Sequence, residues 1–116
     1  CDARYLNIEL NPNLCLYFGF GTGRVDRMRL LLPGGGKTLN ACCERTATGW
    51  DVAYELPFKL LQLFFPDFSP SGKIRGNFYK CGDLTAQEHY LAWNRVDAGH
   101  PDFHLPAYFG ELCFSD

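Results

Sequence analysis

The fold class this sequence predicts is an antiparallel β-sandwich of immunoglobulin or jelly-roll type with one short helix. Three observations predict it. Seven or eight short runs have strand character, Gly and Pro turns separate them at close intervals, and one segment has the length and setting of a short helix. At 116 residues the chain has room for one domain and one core.

Tyr5 to Leu10 alternates, with Tyr5, Asn7 and Glu9 on one face and Leu6, Ile8 and Leu10 on the other, the pattern of a half-buried strand. Asn11-Pro12-Asn13 reads as a turn into a second strand, Leu14 to Phe20, and the pair forms a hairpin. Arg24 to Leu32 and Thr38 to Thr46 read as strands on either side of a glycine turn, Pro33 to Gly36. Gly49 to Leu56 carries the clearest period of two, with Trp50, Val52, Tyr54 and Leu56 on one face. Pro57 ends it and opens a short helix, Phe58 to Phe64. Pro66, Pro70 and Gly72 mark a loop. Lys73 to Gly82 and Glu88 to Asn94 are strands joined through Asp83-Leu84-Thr85, and Phe109 to Phe114 is the last.

Two glycine stretches imitate nucleotide motifs without meeting them. In Gly19-Phe20-Gly21-Thr22-Gly23 the third glycine of a dinucleotide fingerprint would fall on Arg24, and no helix pattern follows. Gly36-Lys37-Thr38 would need a glycine at position 31 to form a phosphate loop, and Leu31 stands there.

Eleven basic against thirteen acidic side chains give a net charge of -2, which argues against a nucleic-acid partner. No apolar run approaches the roughly 18 residues that span a bilayer, so no membrane partner is expected. Cys1-Asp2-Ala3-Arg4 leads straight into the strand pattern without the look of a signal peptide, and the expectation is a piece of a longer chain. Six cysteines permit disulfides by arithmetic. Cys15, Cys81 and Cys113 lie in apolar strand-like runs, and adjacent Cys42 and Cys43 point to opposite faces of a strand, so free, buried thiols are expected. Free thiols favour a reducing compartment.

Aromatic and hydrogen-bonding side chains concentrate between Arg75 and Phe114. Phe103, His104 and Tyr108 around Pro101 and Pro106 suggest a rigid ligand platform, a binding surface before a catalytic centre. Trp93 shares a strand face with Leu91, which favours a core role, and Trp50 is read as core. His100 and His104 are four apart but lie off any helix, where that spacing does not converge on a metal. Asp83, Asp97, Asp102 and Glu111 are available to a glycosidase, yet nothing pairs two of them across a cleft, and no nucleophile elbow or triad is legible.

The blocks Gly49-Trp50 to Leu56-Pro57-Phe58, Arg75-Gly76-Asn77-Phe78-Tyr79-Lys80-Cys81-Gly82-Asp83, Ala92-Trp93-Asn94, Pro101-Asp102-Phe103-His104 and Tyr108-Phe109-Gly110-Glu111-Leu112 together resemble the carbohydrate-binding family 9-like modules, of the DOMON-like β-sandwich type. The resemblance covers nearly the whole chain but only the second half of such a module, so the sandwich is expected to be incomplete at its N-terminus. It implies non-catalytic binding of a mono- or oligosaccharide within a bacterial polysaccharide-degrading system, with extracellular or periplasmic placement. No cofactor is implied, although some members bind calcium. Two aromatic rings clamp the sugar in xylanase-associated members; Phe103 matches the ring of the C-terminal half, and its counterpart would lie upstream of residue 1.

On that reading Phe103 is the stacking platform, Asp102 and His104 flank it as hydrogen-bonding groups, and Trp93, Tyr79, Asn94 and Arg75 are further candidates. Two other classes stay open. One is a structural fragment whose exposed edges pair with a second copy or a companion N-terminal segment; the other is a glycoside-acting enzyme domain.

Overall fold

A computed structural model of the protein describes residues 3–115. Nine strands lie among them: β1 Tyr5–Leu10, β2 Leu16–Gly21, β3 Arg27–Leu30, β4 Cys42–Arg45, β5 Trp50–Ala53, β6 Lys73–Gly76, β7 Tyr79–Cys81, β8 Tyr90–Ala92 and β9 Gly110–Cys113. One α-helix, α1, spans Phe58–Phe64, and 3-10 turns form at Gly35–Leu39 and Pro106–Tyr108. Every strand pairing is antiparallel: β1-β2-β3, β4-β5, β6-β9 and β7-β8. The chain is thus all-β with one short helix, consistent with a small β-sandwich. It divides into two compact units, the first ending at Ser69 and the second beginning at Pro70.

In the first unit β1 and β2 form the expected hairpin, with Leu10 opposite Leu16. Asn11 makes its turn: its Oδ1 accepts from the backbone N–H of Asn13 and of Cys15, both at 3.0 Å. That closure holds Leu14 at φ 59°, a left-handed conformation that costs a leucine about 1 kcal/mol or more. Phe18 and Phe20 project from the same face of β2 and meet the rings of α1 and the residue after it. Phe18 lies 5.9 Å from Phe64, and Phe20 lies 5.0 Å from Phe64 and 5.7 Å from Phe65. The buried residues of the core are Phe18 and Phe20 with Leu61, Leu39 and Tyr5. Each such buried side chain contributes about 1.5–3 kcal/mol of transfer free energy. Pro57 stands just outside α1 as its N-cap residue, where its carbonyl accepts from the N–H of Leu60 and Leu61.

Three expectations change. The strand foreseen at Thr38 to Thr46 begins only at Cys42, because Gly34 and Gly35 turn the chain with positive φ into the 3-10 turn that buries Leu39. The strand foreseen at Lys73 to Gly82 is two: β6 pairs with β9, β7 pairs with β8, and Asn77-Phe78 is the break. Cys15, Cys42, Cys43, Cys81 and Cys113 are free as expected, but four are exposed and Cys43 is half-buried, so they are not core hydrophobes. Cys42 and Cys113 sit at strand ends and share their strand faces with the exposed Glu44 and Glu111. Cys1 lies outside the described residues. No helix among the described residues is long and apolar enough to cross a membrane.

Candidate functional site

The second unit is fastened by Asn77, at the break between β6 and β7. Its Oδ1 accepts from the N–H of Phe78 (2.9 Å) and of Asn94 (2.8 Å), and its Nδ2 donates to the carbonyls of Asn94 (2.7 Å) and Tyr108 (3.3 Å). Asn94 adds its own Nδ2 to the Tyr108 carbonyl at 2.8 Å. Arg75 reaches the same closing segment, donating to the carbonyls of Phe109 (2.8 Å) and Ala107 (3.2 Å). Two of the residues expected at a ligand rim, Asn94 and Arg75, thus spend their donors on chain carbonyls.

Beside this clasp, the loop from Arg95 to Phe103 stands off β8 and leaves an open groove of about 470 Å³. All four residues from Tyr90 to Trp93 line it. Side chains of alternate facing can share a wall only along a strand's edge, so the groove runs along the outer edge of β8. The Trp93 N–H donates to the Phe78 carbonyl and the Gly82 N–H to the His89 carbonyl, both at 2.9 Å. Alternation in an antiparallel ladder then turns the N–H and C=O of Tyr90 and Ala92 away from β7, toward the groove.

Trp93, Asp102 and Phe103 come together on this groove, with Arg95 and His100 on its other wall. Trp93 is 55 % exposed, against the core role its strand pattern suggested. Its ring is held at two places. Phe78 meets it edge-on, with centroids 5.8 Å apart and planes at 68°. Its outer ring atoms lie so near the Gly110 backbone that a Cβ there would stand 2.7 Å from Cζ3.

Phe103 is half-buried, stacked on Tyr79 at 4.3 Å and 14° and met edge-on by Tyr90 at 6.2 Å. Tyr79 therefore lies behind Phe103. Its hydroxyl is buried and makes no hydrogen bond of good geometry, because the nearby Asn77 amide is committed elsewhere. Burial raises the Tyr79 pKa; the Asn77 side chain pulls the other way and the charge of Asp102 adds to the rise. Asp102 Oδ1 accepts from the His104 N–H at 2.9 Å and shapes the turn that presents Phe103. His104 itself does not line the groove. Among the described residues no three His, Cys, Asp or Glu side chains gather to hold a metal ion.

Arg95, His100 and Tyr90 were not picked from the sequence as ligand contacts. Nothing in their local pattern marks them; Tyr90 opens β8 itself, and the path of the loop brings Arg95 and His100 to it. Asn77 was visible only as one polar residue inside a strand-like run.

No curated protein sequence and no solved structure matches the chain. A family model, Carbohydrate-binding family 9, matches residues 1–114, so the match takes in both compact units and every groove residue. Carbohydrate binding is the function that goes with that family. With nearly its whole length matched, the chain belongs to carbohydrate-binding family 9.

Proposed function

We propose that this chain is a non-catalytic carbohydrate-binding module of a polysaccharide-degrading system, and that a sugar ring stacks on Trp93 in the groove beside β8. The observation that carries this reading is the exposure of Trp93 on the wall of that groove while Phe78 and Gly110 fix its ring. A pyranose presents a face of C–H bonds that matches a rigid aromatic ring, a contact worth on the order of 1 kcal/mol beyond burial. Its hydroxyls need polar partners, and Asp102, His100, Arg95 and the outward backbone groups of β8 offer both donors and acceptors.

Phe103 takes a supporting part. With Tyr79 against one face, it serves as a fixed wall of the groove, while Asp102 and His104 form the turn that holds it. Asp102 is the single carboxylate among the groove residues, whereas glycoside hydrolysis requires two about 5 to 10 Å apart. That favours binding without bond cleavage.

Calorimetric titration with neutral mono- and oligosaccharides tests the proposal. Trp93→Ala should weaken binding at least tenfold, and incubation should release no reducing ends. Unchanged affinity in the variant, or turnover of the sugar, would overturn it.

A further inference from the structure

The sheet β1-β2-β3 has a second face, opposite Phe18 and Phe20, on which Tyr5 is buried while Glu9 and Arg29 are exposed. Register places Tyr5, Asn7 and Glu9 of β1, Tyr17, Gly19 and Gly21 of β2, and Arg27 and Arg29 of β3 on it. Gly19 leaves the space that Tyr17 fills: a Cβ there would stand 2.9 Å from Tyr17 Cε1 and 3.2 Å from its hydroxyl. The tyrosine ring thus lies down across the sheet. Both arginines lie over that one ring, with Cζ of Arg27 5.1 Å and Cζ of Arg29 5.5 Å from its centre. Arg27 is anchored further by Nη1, which donates to Asn7 Oδ1 at 2.9 Å.

Arg29 is exposed, and the one interaction of its side chain among the described residues is with the Tyr17 ring. Its guanidinium is held in place while all five N–H donors stay available. Glu9, the strand partner of Tyr17, makes no ion pair with it among the described residues. The ring itself is covered by cations and so does not serve as a sugar platform. What this face offers is a positioned donor fork beside a second guanidinium and the Tyr17 hydroxyl. A planar fork of this kind matches carboxylate or sulfate oxygens two at a time, which a lysine does not.

We infer that this face, centred on Arg29, binds the anionic group of an acidic sugar, a uronate carboxylate or a sulfate ester. That it is a sugar anion rests on the carbohydrate-binding reading; the site itself shares no residue with the groove. The face adds preference for charged saccharides to a module whose groove takes neutral rings.

The test is calorimetric titration of the whole chain at pH 7 with an oligogalacturonate, its methyl ester, a sulfated glycosaminoglycan tetrasaccharide and a neutral oligosaccharide. At least one anionic ligand should bind ten times or more tighter than the neutral ones, and the two arms tell carboxylate from sulfate. That advantage should fall as salt rises to about 0.5 M. Arg29→Ala should remove it, Arg29→Lys should restore only part, and both should keep the affinity for the neutral oligosaccharide. Tyr17→Leu should weaken anionic binding several-fold by releasing Arg29, with the fold checked by circular dichroism. Equal affinity for charged and neutral sugars, or an anionic preference indifferent to Arg29→Ala, overturns the inference and leaves the groove reading standing. Arg29-dependent binding of anionic sugars with none of neutral ones overturns the groove reading instead.

Discussion

Phe103 lies flat on Tyr79, with ring centroids 4.3 Å apart and planes 14° from parallel. Stacking at this distance removes one face of Phe103 from any ligand and gives the Arg95 to Phe103 loop a fixed end. The pair should be energetically coupled. In a double-mutant cycle of Tyr79→Ala and Phe103→Ala, read by urea unfolding, the coupling is expected at about 1 kcal/mol. Strictly additive losses would show that the stack is incidental.

Asn77 should matter far more than a polar residue at a strand break usually does. Removing its side chain takes these bonds from the N–H groups of Phe78 and Asn94 and from the Asn94 carbonyl, and leaves the Tyr108 carbonyl to Asn94 Nδ2 alone. Asn77→Ala is expected to cost about 2–3 kcal/mol, seen as a lowered urea midpoint. A loss within 0.5 kcal/mol, about the level of an ordinary surface change, would contradict the clasp.

Gly110 is predicted to control the Trp93 ring. An added methyl would collide with Trp93 Cζ3, and the ring must give way because the other party is backbone. Gly110→Ala should cost about 1–3 kcal/mol and shift the Trp93 emission maximum. An unmoved spectrum would mean that the ring is not seated on Gly110.

The elements legible in the sequence are those whose own residues specify them. Alternation defined β1, Asn11 and Pro12 defined the first hairpin, and Pro57 marked the entry to α1, whose bounds came out as expected. The rest depends on contacts distant in the chain. Nothing local distinguishes Asn77 from another strand residue, because its role comes from Asn94 and Tyr108, 17 and 31 positions away. Trp93 looks like core by its spacing to Leu91, but β8 is an edge strand and both side chains remain exposed. The candidate site was legible in the Asp102-Phe103 turn and in Trp93 as a lesser candidate. His100 and Arg95 reach it through the path of the loop.

Tyr90 gives the protein a pH signature. Its hydroxyl donates to Glu88 Oε1 at 2.8 Å, and that bond, with the negative charge around it, pushes its pKa from 10.0 up to about 12. Because the folded value lies above the unfolded one, the stabilisation is complete below pH 10 and is lost as pH rises from 10 to 12. Tyrosinate absorbance, compared between the wild type and Tyr90→Phe, should show one phenol ionising near pH 12, and Glu88→Gln should bring it down. Ionisation of Tyr90 at its ordinary pH would disprove the bond.

The most direct test of the account uses the fact that the chain has two tryptophans, Trp50 and Trp93. Trp50→Phe leaves Trp93 as the sole indole, and a neutral oligosaccharide is titrated in while emission is followed. The account predicts a saturable change in Trp93 emission whose midpoint equals the calorimetric Kd, as expected for a sugar seated on that ring. Calorimetric binding with no response from Trp93 would place the sugar elsewhere and contradict the account.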